Sequence, residues 1–222
     1  VSQSRSELIA NKVESIVVLD HHKTAEENCK GLPYCHFDMN ESGASMAWKH
    51  YFPNEPLPHL VKYIKDRDLW KFQEPYSREV NAFIQSYPME IDTYDMLNEM
   101  FIARGWQPAY EGGQSIERYK DIMVDAICRT AAFTDNYPFY DRRIPIVNTS
   151  SLFSEVGHAL CRKFPNAPYA AYYYDRLKDD VRQWGLRSVG NNPENDVSAI
   201  AKKFGGGGHF NAAGFEQRLS EL

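Results

Sequence analysis

The sequence predicts an α/β protein in two parts. A partial parallel sheet with helices comes first, then a helical connector, then a second, smaller α/β unit with a mixed sheet. Three observations carry this. Ile16–Val17–Val18–Leu19 is a continuous apolar, β-branched run that stops at Asp20, as a strand buried on both faces of a parallel sheet reads. Gln114–Phe133 is the longest helical pattern, with an apolar stripe through Ile116, Tyr119, Ile122, Met123, Ile127 and Ala131. After residue 140 the pattern becomes strand, helix, strand, strand, helix, which is a compact mixed-sheet unit. The implied parts are residues 1–112, a connector at 113–139, and residues 140–222. The break falls near 140, in the turn-rich segment TDNYPFYDRR.

Each element has its own signal. A short helix is expected around Glu7–Asn11, and a weak second strand at Tyr34–Phe37. Ser42–Phe52 reads as a helix with Ser42 as its cap. Leu57, Leu60, Val61 and Ile64 set a helix over Leu57–Lys65. Residues 76–104 continue as helices, the last ending at Gly105. In the second part, Ile144–Asn148 reads as a strand and Leu152–Phe164 as a helix. Pro168–Tyr174 and Val181–Ser188 read as antiparallel strands joined across LKDD. Asp196–Lys203 reads as a helix capped by Asn195 or Asp196. FGGGGHFNAAGF follows, with His209 expected at the start of a short helix, FNAAG. The first part looks incomplete. A fully apolar central strand needs neighbours on both sides or its amides stay unpaired. Further N-terminal strands are therefore expected to lie outside this chain or to be supplied to it.

Composition narrows the function classes. The 222 residues carry 25 Lys and Arg against 30 Asp and Glu, a net charge of −5. That argues against a generic coat for duplex DNA, which needs a basic stripe. It leaves room for a small phosphorylated substrate held by a few local cations. No stretch approaches about 20 consecutive apolar residues, so no membrane helix is expected. The first residues show no cationic segment followed by an apolar run, so a cytoplasmic protein without a secretory signal is expected. Cys29, Cys35, Cys128 and Cys161 form no CxxC pair and fit no zinc module. They read as buried or idle thiols.

Four segments could carry chemistry. Asp20–His21–His22 follows a strand, and ligands bind beyond the carboxyl ends of strands in open α/β sheets. A neutral imidazole can ligate a metal, and a carboxylate can ligate or orient the imidazole. The plain alternative is a polar turn whose Asp caps the next helix. Asp66–Arg67–Asp68 places two carboxylates about an arginine, a set for a divalent cation beside a phosphate-gripping cation. Its plain alternative is a salt bridge at a helix end. Gly205–Gly206–Gly207–Gly208–His209 lets backbone amides approach an anion, or else is a flexible linker. Arg187 stands at a predicted strand end, where a guanidinium could hold a phosphate, or is a surface arginine. The aromatic run Tyr172–Tyr174 could stack a base, but reads better as a strand with rings on both faces. The isolated His36, His50, His59 and His158 have no ligand spacing.

VVLDHH, then IKDRDLW, then GGGGHFNAAGF resembles, in order and spacing, the DHH phosphoesterases with a C-terminal DHH-associated domain. That group includes the RecJ nuclease, the nanoRNases and oligoribonucleases, and cyclic-dinucleotide phosphodiesterases. Residues 15–70 resemble the back half of the DHH domain. Residues 140–219, with QWGLRS before the glycines, resemble the associated domain. The resemblance implies a two-metal site in a cleft between domains, usually with Mn²⁺, with Mg²⁺ or Co²⁺ as alternatives. On this match His21 is a metal ligand and Asp20 its support or co-ligand. His22 contacts the scissile phosphate, and one of Asp66 and Asp68 binds metal, with Asp66 preferred. Gly205 to Gly208 and His209 hold the substrate, assisted by Arg187 and Ser188.

The implied activity is hydrolysis of phosphodiester or phosphomonoester bonds in small nucleotides or short oligonucleotides. A pyrophosphatase or polyphosphatase, or a non-catalytic nucleotide-binding module, is the competing reading. A small phosphorylated partner and a homodimer are also expected. The sequence departs from the family at its front, where two strand-end motifs that supply metal ligands do not occur before Asp20. The chain alone is accordingly expected to hold metal poorly or to be inactive.

Overall fold

The computed structural model describes residues 3–134 and 143–221. The α/β class holds. The chain divides into two compact units, Val1–Lys120 and Asp121–Leu222. The break expected near residue 140, with most of its turn-rich segment, lies outside the described residues.

The first unit runs α1 (Gln3–Ala10), β1 (Val18–Asp20), α2 (Lys23–Asn28), β2 (Cys35–Phe37), α3 (Gly43–Tyr51), α4 (His59–Asp68), α5 (Ser77–Gln85), α6 (Ile91–Arg104) and α7 (Gln107–Cys128), which carries the chain into the second unit. β1 and β2 pair in parallel, Val18 with Cys35, Leu19 with His36 and Asp20 with Phe37. β1 begins two residues later than its apolar run, and among the described residues β2 is its one neighbour. The expectation of burial on both faces is corrected here: Val17 is 44% exposed, and Val18 and Leu19 are only part-buried. An apolar run can form a strand without being covered on both faces, because pairing with β2 fills an edge of β1 and buries neither face.

α3 starts where its cap predicts. The Ser42 hydroxyl accepts from Ser45 N at 3.2 Å, and Ser45 Oγ accepts from Ser42 N at 2.9 Å, a reciprocal box that satisfies two end amides. α4 differs from its expected range. Pro58 stands just before it at φ −57°, and the helix continues through Asp68, so the Asp66–Asp68 segment is its last turn. α7 also begins earlier than predicted. Pro108 fits its first turn, and Gly112 and Gly113 lie inside it. A Cβ on Gly113 would stand 1.8 Å from the Glu79 carbonyl oxygen, and one on Gly112 would stand 2.5 Å from the Phe83 ring. The glycines that look like helix breakers are the contact surface on which α5 rests. Leu60, Tyr63, Val80, Ile84, Leu97, Phe101 and Ala109 form the core of this unit.

Glu41, just before the cap of α3, ties that helix to α4. It is 7% exposed, and its Oε1 accepts from Lys49 Nζ at 2.7 Å and Lys65 Nζ at 2.8 Å. Burial alone would raise its pKa. The two ammonium groups and then Ser45 outweigh that and hold the carboxyl at about 2.

The second unit is a six-stranded mixed sheet in the order β3-β4-β5-β6-β8-β7. Its elements are β3 (Ala132–Thr134), β4 (Ile144–Asn148), α8 (Phe153–Lys163), β5 (Ala170–Arg176), β6 (Val181–Arg187), α9 (Val197–Lys203), β7 (Gly207–His209) and β8 (Ala212–Arg218). β4 and β5 are parallel, while β5 with β6, β6 with β8 and β7 with β8 are antiparallel. Asp196 caps α9, accepting from Ser198 N at 3.0 Å and Ala199 N at 3.3 Å. β3, expected as the tail of the connector helix, instead pairs with β4.

The period-2 pattern of β5 and β6 buries both faces. Ala171, Trp184, Leu186, Ala213 and Phe215 pack with Val197 and Ala201 of α9. Ala170 and Tyr172 pack with Val156, Leu160 and Cys161 of α8. All four cysteines are free, and three of them are buried. Burial pushes the Cys161 thiol up to about 11, which leaves it inert. Among the described residues no helix is long and apolar enough to cross a membrane.

Two outcomes test this packing. Gly113→Ala should cost about 3 kcal/mol, because backbone on both sides of the contact must shift; the midpoint of urea unfolding reads this. Glu41 has a folded pKa below its ordinary value, so its contribution is full above pH 4.5 and drains away as the pH falls toward 2. Glu41→Gln should cost about 2 kcal/mol at pH 7, less than a fully buried pair because Lys49 is half exposed. It should also flatten the stability–pH curve in that acid window, as measured by unfolding at a series of pH values.

Candidate functional site

In the first unit the candidate site begins at the carboxyl end of β1. Asp20 is buried, and its Oδ1 accepts from the backbone amides of His21 at 2.7 Å and His22 at 3.0 Å. The same oxygen lies 2.7 Å from His22 Nδ1. Burial would raise the Asp20 pKa, but the His22 ring and amide hold it well below the usual carboxylate range. An ionised carboxylate can only accept, so Nδ1 of His22 carries the proton of this bond. Of the plain reading the turn is present, since one oxygen fastens both following amides, but Asp20 does not cap α2, whose cap residue is His22 with no side-chain cap bond.

His21 is buried and packs edge-on against the His22 ring, with centroids 4.6 Å apart. Its Nε2 stands 3.4 Å from Asp68 Oδ2 in the last turn of α4. Two ligand atoms bound at about 2.1 Å to one first-row cation lie about 3.0–3.4 Å apart. The His21 and Asp68 atoms have that spacing, and an imidazole with a carboxylate is a suitable donor set for manganese or a similar ion. The residues present therefore fit part of a metal centre.

Asp66 is placed differently. Residues two apart on a helix do not share a face. Its Oδ1 accepts from Gln73 N at 2.9 Å and its Oδ2 from Glu74 N at 3.1 Å. Asp66 thus closes the loop after α4, where Trp70 and Phe72 hold positive φ angles of 56° and 50°. Arg67 lies against α5, where the Gln85 amide oxygen, oriented to satisfy both groups, accepts from its guanidinium at 3.0 and 3.1 Å. The structure brings together Asp20, His21, His22 and Asp68, and it gives Asp66 to the loop.

In the second unit, Arg187 pairs with Ala212 on β8, and Ala212 pairs with His209 on β7. Directly opposed residues in antiparallel strands share a face, so Arg187, Ala212 and His209 form one row. The next row on that face is Tyr172, Gly185, Gly214 and Gly207. Arg187 donates to Ser154 Oγ at 3.2 Å and to the Leu186 carbonyl at 3.0 Å. Ser188 is buried; its Oγ donates to Asn211 Oδ1 at 2.8 Å and its amide to the Asn211 carbonyl at 3.1 Å. The expected short helix at FNAAG is corrected, because this segment is the turn and return strand of a hairpin. A Cβ on Gly206 would lie 2.1 Å from the Gly214 carbonyl oxygen, and one on Gly208 would lie 2.4 Å from that of Ala212. The glycines let β7 lie against β8, and His209 is a strand residue.

Sequence reasoning missed Glu41, Ser154 and Asn211. The carboxylate of Glu41 and the lysines it joins have no common period. Asn211 sits inside the glycine motif, and its role appears only once the hairpin meets β6.

No protein-family model matches the chain. It is 31% identical over 215 residues to the uncharacterized protein R106 of Acanthamoeba polyphaga mimivirus, covering 93% of this chain and 48% of that protein. It is 22% identical over 223 residues to oligoribonuclease NrnB of Bacillus subtilis (strain 168), covering 90% of this chain and 52% of that protein. The chain thus spans about half the length of these curated relatives. Among solved structures it is similar to a pGpG-specific phosphodiesterase, PggH, of Vibrio cholerae, at 13% identity and a TM-score of 0.46, covering 97% of this chain and 83% of that one. It is also similar to an exopolyphosphatase-related protein of Bacteroides fragilis, at 15% identity and a TM-score of 0.40, covering 97% and 62%.

The two acids of α4 should separate in a stability assay on metal-free protein. Asp66→Ala leaves two loop amides without their acceptor and should cost about 2–3 kcal/mol. Asp68→Ala, at an exposed position, should stay within about 0.5 kcal/mol of the parent.

Proposed function

We propose that the protein is a metal-dependent phosphoesterase acting on small nucleotides or short oligonucleotides, with this chain supplying part of its metal centre and its phosphate-binding residues. The observation that carries the reading is the spacing of His21 Nε2 and Asp68 Oδ2 beside an ionised Asp20 at a strand's carboxyl end. The oligoribonuclease relative supports the substrate class.

In this reading His21 and Asp68 hold a divalent cation, with Mn²⁺ first and Mg²⁺ or Co²⁺ as alternatives. Asp20 orients the pair through the turn it fastens. Asp68 is preferred to Asp66 because both oxygens of Asp66 accept loop amides. A bound cation supplies charge neutralisation at the phosphate and a more acidic water. Hydrolysis forms a bond from water oxygen to phosphorus, breaks the ester P–O bond, and returns a proton to the departing alcohol. His22, its Nδ1 proton held by Asp20, offers Nε2 as the group that meets the phosphate. In the second unit Arg187 supplies positive charge for phosphate oxygens. Ser188 holds the hairpin of Gly205 to Gly208 and His209 against β6, and that hairpin contributes to substrate binding.

Calorimetric titration with Mn²⁺ and hydrolysis of 5′-phosphorylated dinucleotides, both on the longest natural form of the protein, test this. His21→Ala and Asp68→Asn should each lower activity by at least 100-fold and weaken Mn²⁺ binding, with folding intact by circular dichroism. Parent-like turnover in His21→Ala would overturn the assignment. Cleavage of pyrophosphate without cleavage of dinucleotides would move the substrate to inorganic phosphates. Absence of metal binding and of turnover would favour a nucleotide-binding module.

A further inference from the structure

Phe153, the first residue of α8, lies across two tyrosines of β5. Its ring is near-parallel to Tyr172, with centroids 5.4 Å apart at 19°, and to Tyr174, 5.1 Å apart at 22°. Tyr172 and Tyr174 are two residues apart on one strand and so project from the same face. That is also the face of Arg187, through the cross-strand row of Tyr172 and Gly185. Tyr172 is buried, while Phe153 and Tyr174 keep part of their surface exposed.

Two glycines make this arrangement possible. A Cβ on Gly185 would stand 2.0 Å from Tyr172 Cζ, so the ring lies flat over β6 at that point. A Cβ on Gly157 of α8 would stand 2.4 Å from Arg187 Cγ, so the stem of the arginine fills the space beside the helix. The guanidinium carbon then sits 5.8 Å from the Tyr172 ring centroid, next to the Ser154 hydroxyl. A guanidinium has several N–H donors, and those given to Ser154 and Leu186 leave others for an anion. A fixed cation beside part-exposed, near-parallel rings matches the two ends of a nucleoside monophosphate, an anionic group and a flat π surface.

We propose that the second unit binds a nucleotide as well as a phosphate, with the base stacking on the exposed surface of Phe153 and Tyr174 while Arg187 and Ser154 hold the phosphate. This deepens the proposed function and rests on it: the stack would make the protein select nucleotides over inorganic or sugar phosphates. The selectivity comes from ring overlap and not from hydrogen bonds to base edges, so it extends to all four bases.

The test is binding of 5′-AMP and of ribose 5-phosphate to the whole chain in the presence of a metal chelator, followed by calorimetry or ligand NMR. AMP should bind about tenfold more tightly than ribose 5-phosphate, the effect of stacking one base. Tyr174→Leu and Phe153→Leu should each bring AMP toward the ribose 5-phosphate value and leave ribose 5-phosphate unchanged. Tyr174→Phe, which keeps the ring, should retain the preference and guards against a folding defect. Arg187→Gln should weaken both ligands. Equal affinity for the two ligands in the parent chain, or an AMP preference that survives both leucine variants, overturns the stacking site alone. Failure of both ligands to bind overturns it together with the phosphate-binding role given to Arg187.

Discussion

The candidate site in the first unit depends on one oxygen. Asp20 Oδ1 accepts from two successive backbone amides and from the His22 ring, so it turns the chain sharply as the strand ends. After that turn the two imidazoles stay in edge-on contact, with His21 buried beside Asp68 and His22 half exposed. The carboxylate also keeps the proton of His22 on the nitrogen nearest it. The charge is held by local donors in spite of burial, which is why Asp20 stays ionised.

The partner of His21 is positioned from farther away. Asp68 is at the end of α4, and α4 is held to the start of α3 through Lys65 and Glu41. Beyond it, Asp66 uses its whole carboxylate to close the following loop. One short run of three polar residues therefore serves three structural ends: a loop closure, a contact with α5 and a position beside His21. Helical periodicity separates them, since each step along the helix turns the side chain by about 100°.

The second unit solves a different problem, that of placing a charged side chain on a sheet covered on both faces. α9 covers one face over Trp184, Leu186 and Phe215, and α8 covers part of the other over Ala170 and Tyr172. Gly185 on that second face leaves room for the ring of Tyr172, and Gly157 on α8 leaves room for the stem of Arg187. Close packing tolerates no Cβ at Gly157 or Gly185 without displacement of these side chains. The glycine run that draws attention in the sequence, Gly205 to Gly208, has a related purpose in bringing a strand close to its neighbour.

The class of the fold, the order of most elements and the ends that local chemistry sets are legible in the chain of residues alone. Ser42 and Asp196 cap the helices they were expected to cap, Gly105 follows α6, and the strands at Ile144–Asn148 and Val181–Arg187 stand as their patterns predict. These features are carried by neighbours in the chain, so periodicity and capping residues reveal them. Asp20, His21, His22 and Asp68 were named as candidates for the same reason, since they flank recognisable elements. Tertiary structure decided which of Asp66 and Asp68 meets His21, that Gly112 and Gly113 lie within a helix, and that FNAAG belongs to a hairpin. It also decided that Glu41 joins α3 to α4 and that Phe153 lies over Tyr172 and Tyr174. Each of these depends on the approach of segments distant in the chain, and no local pattern of residues records the distance between them.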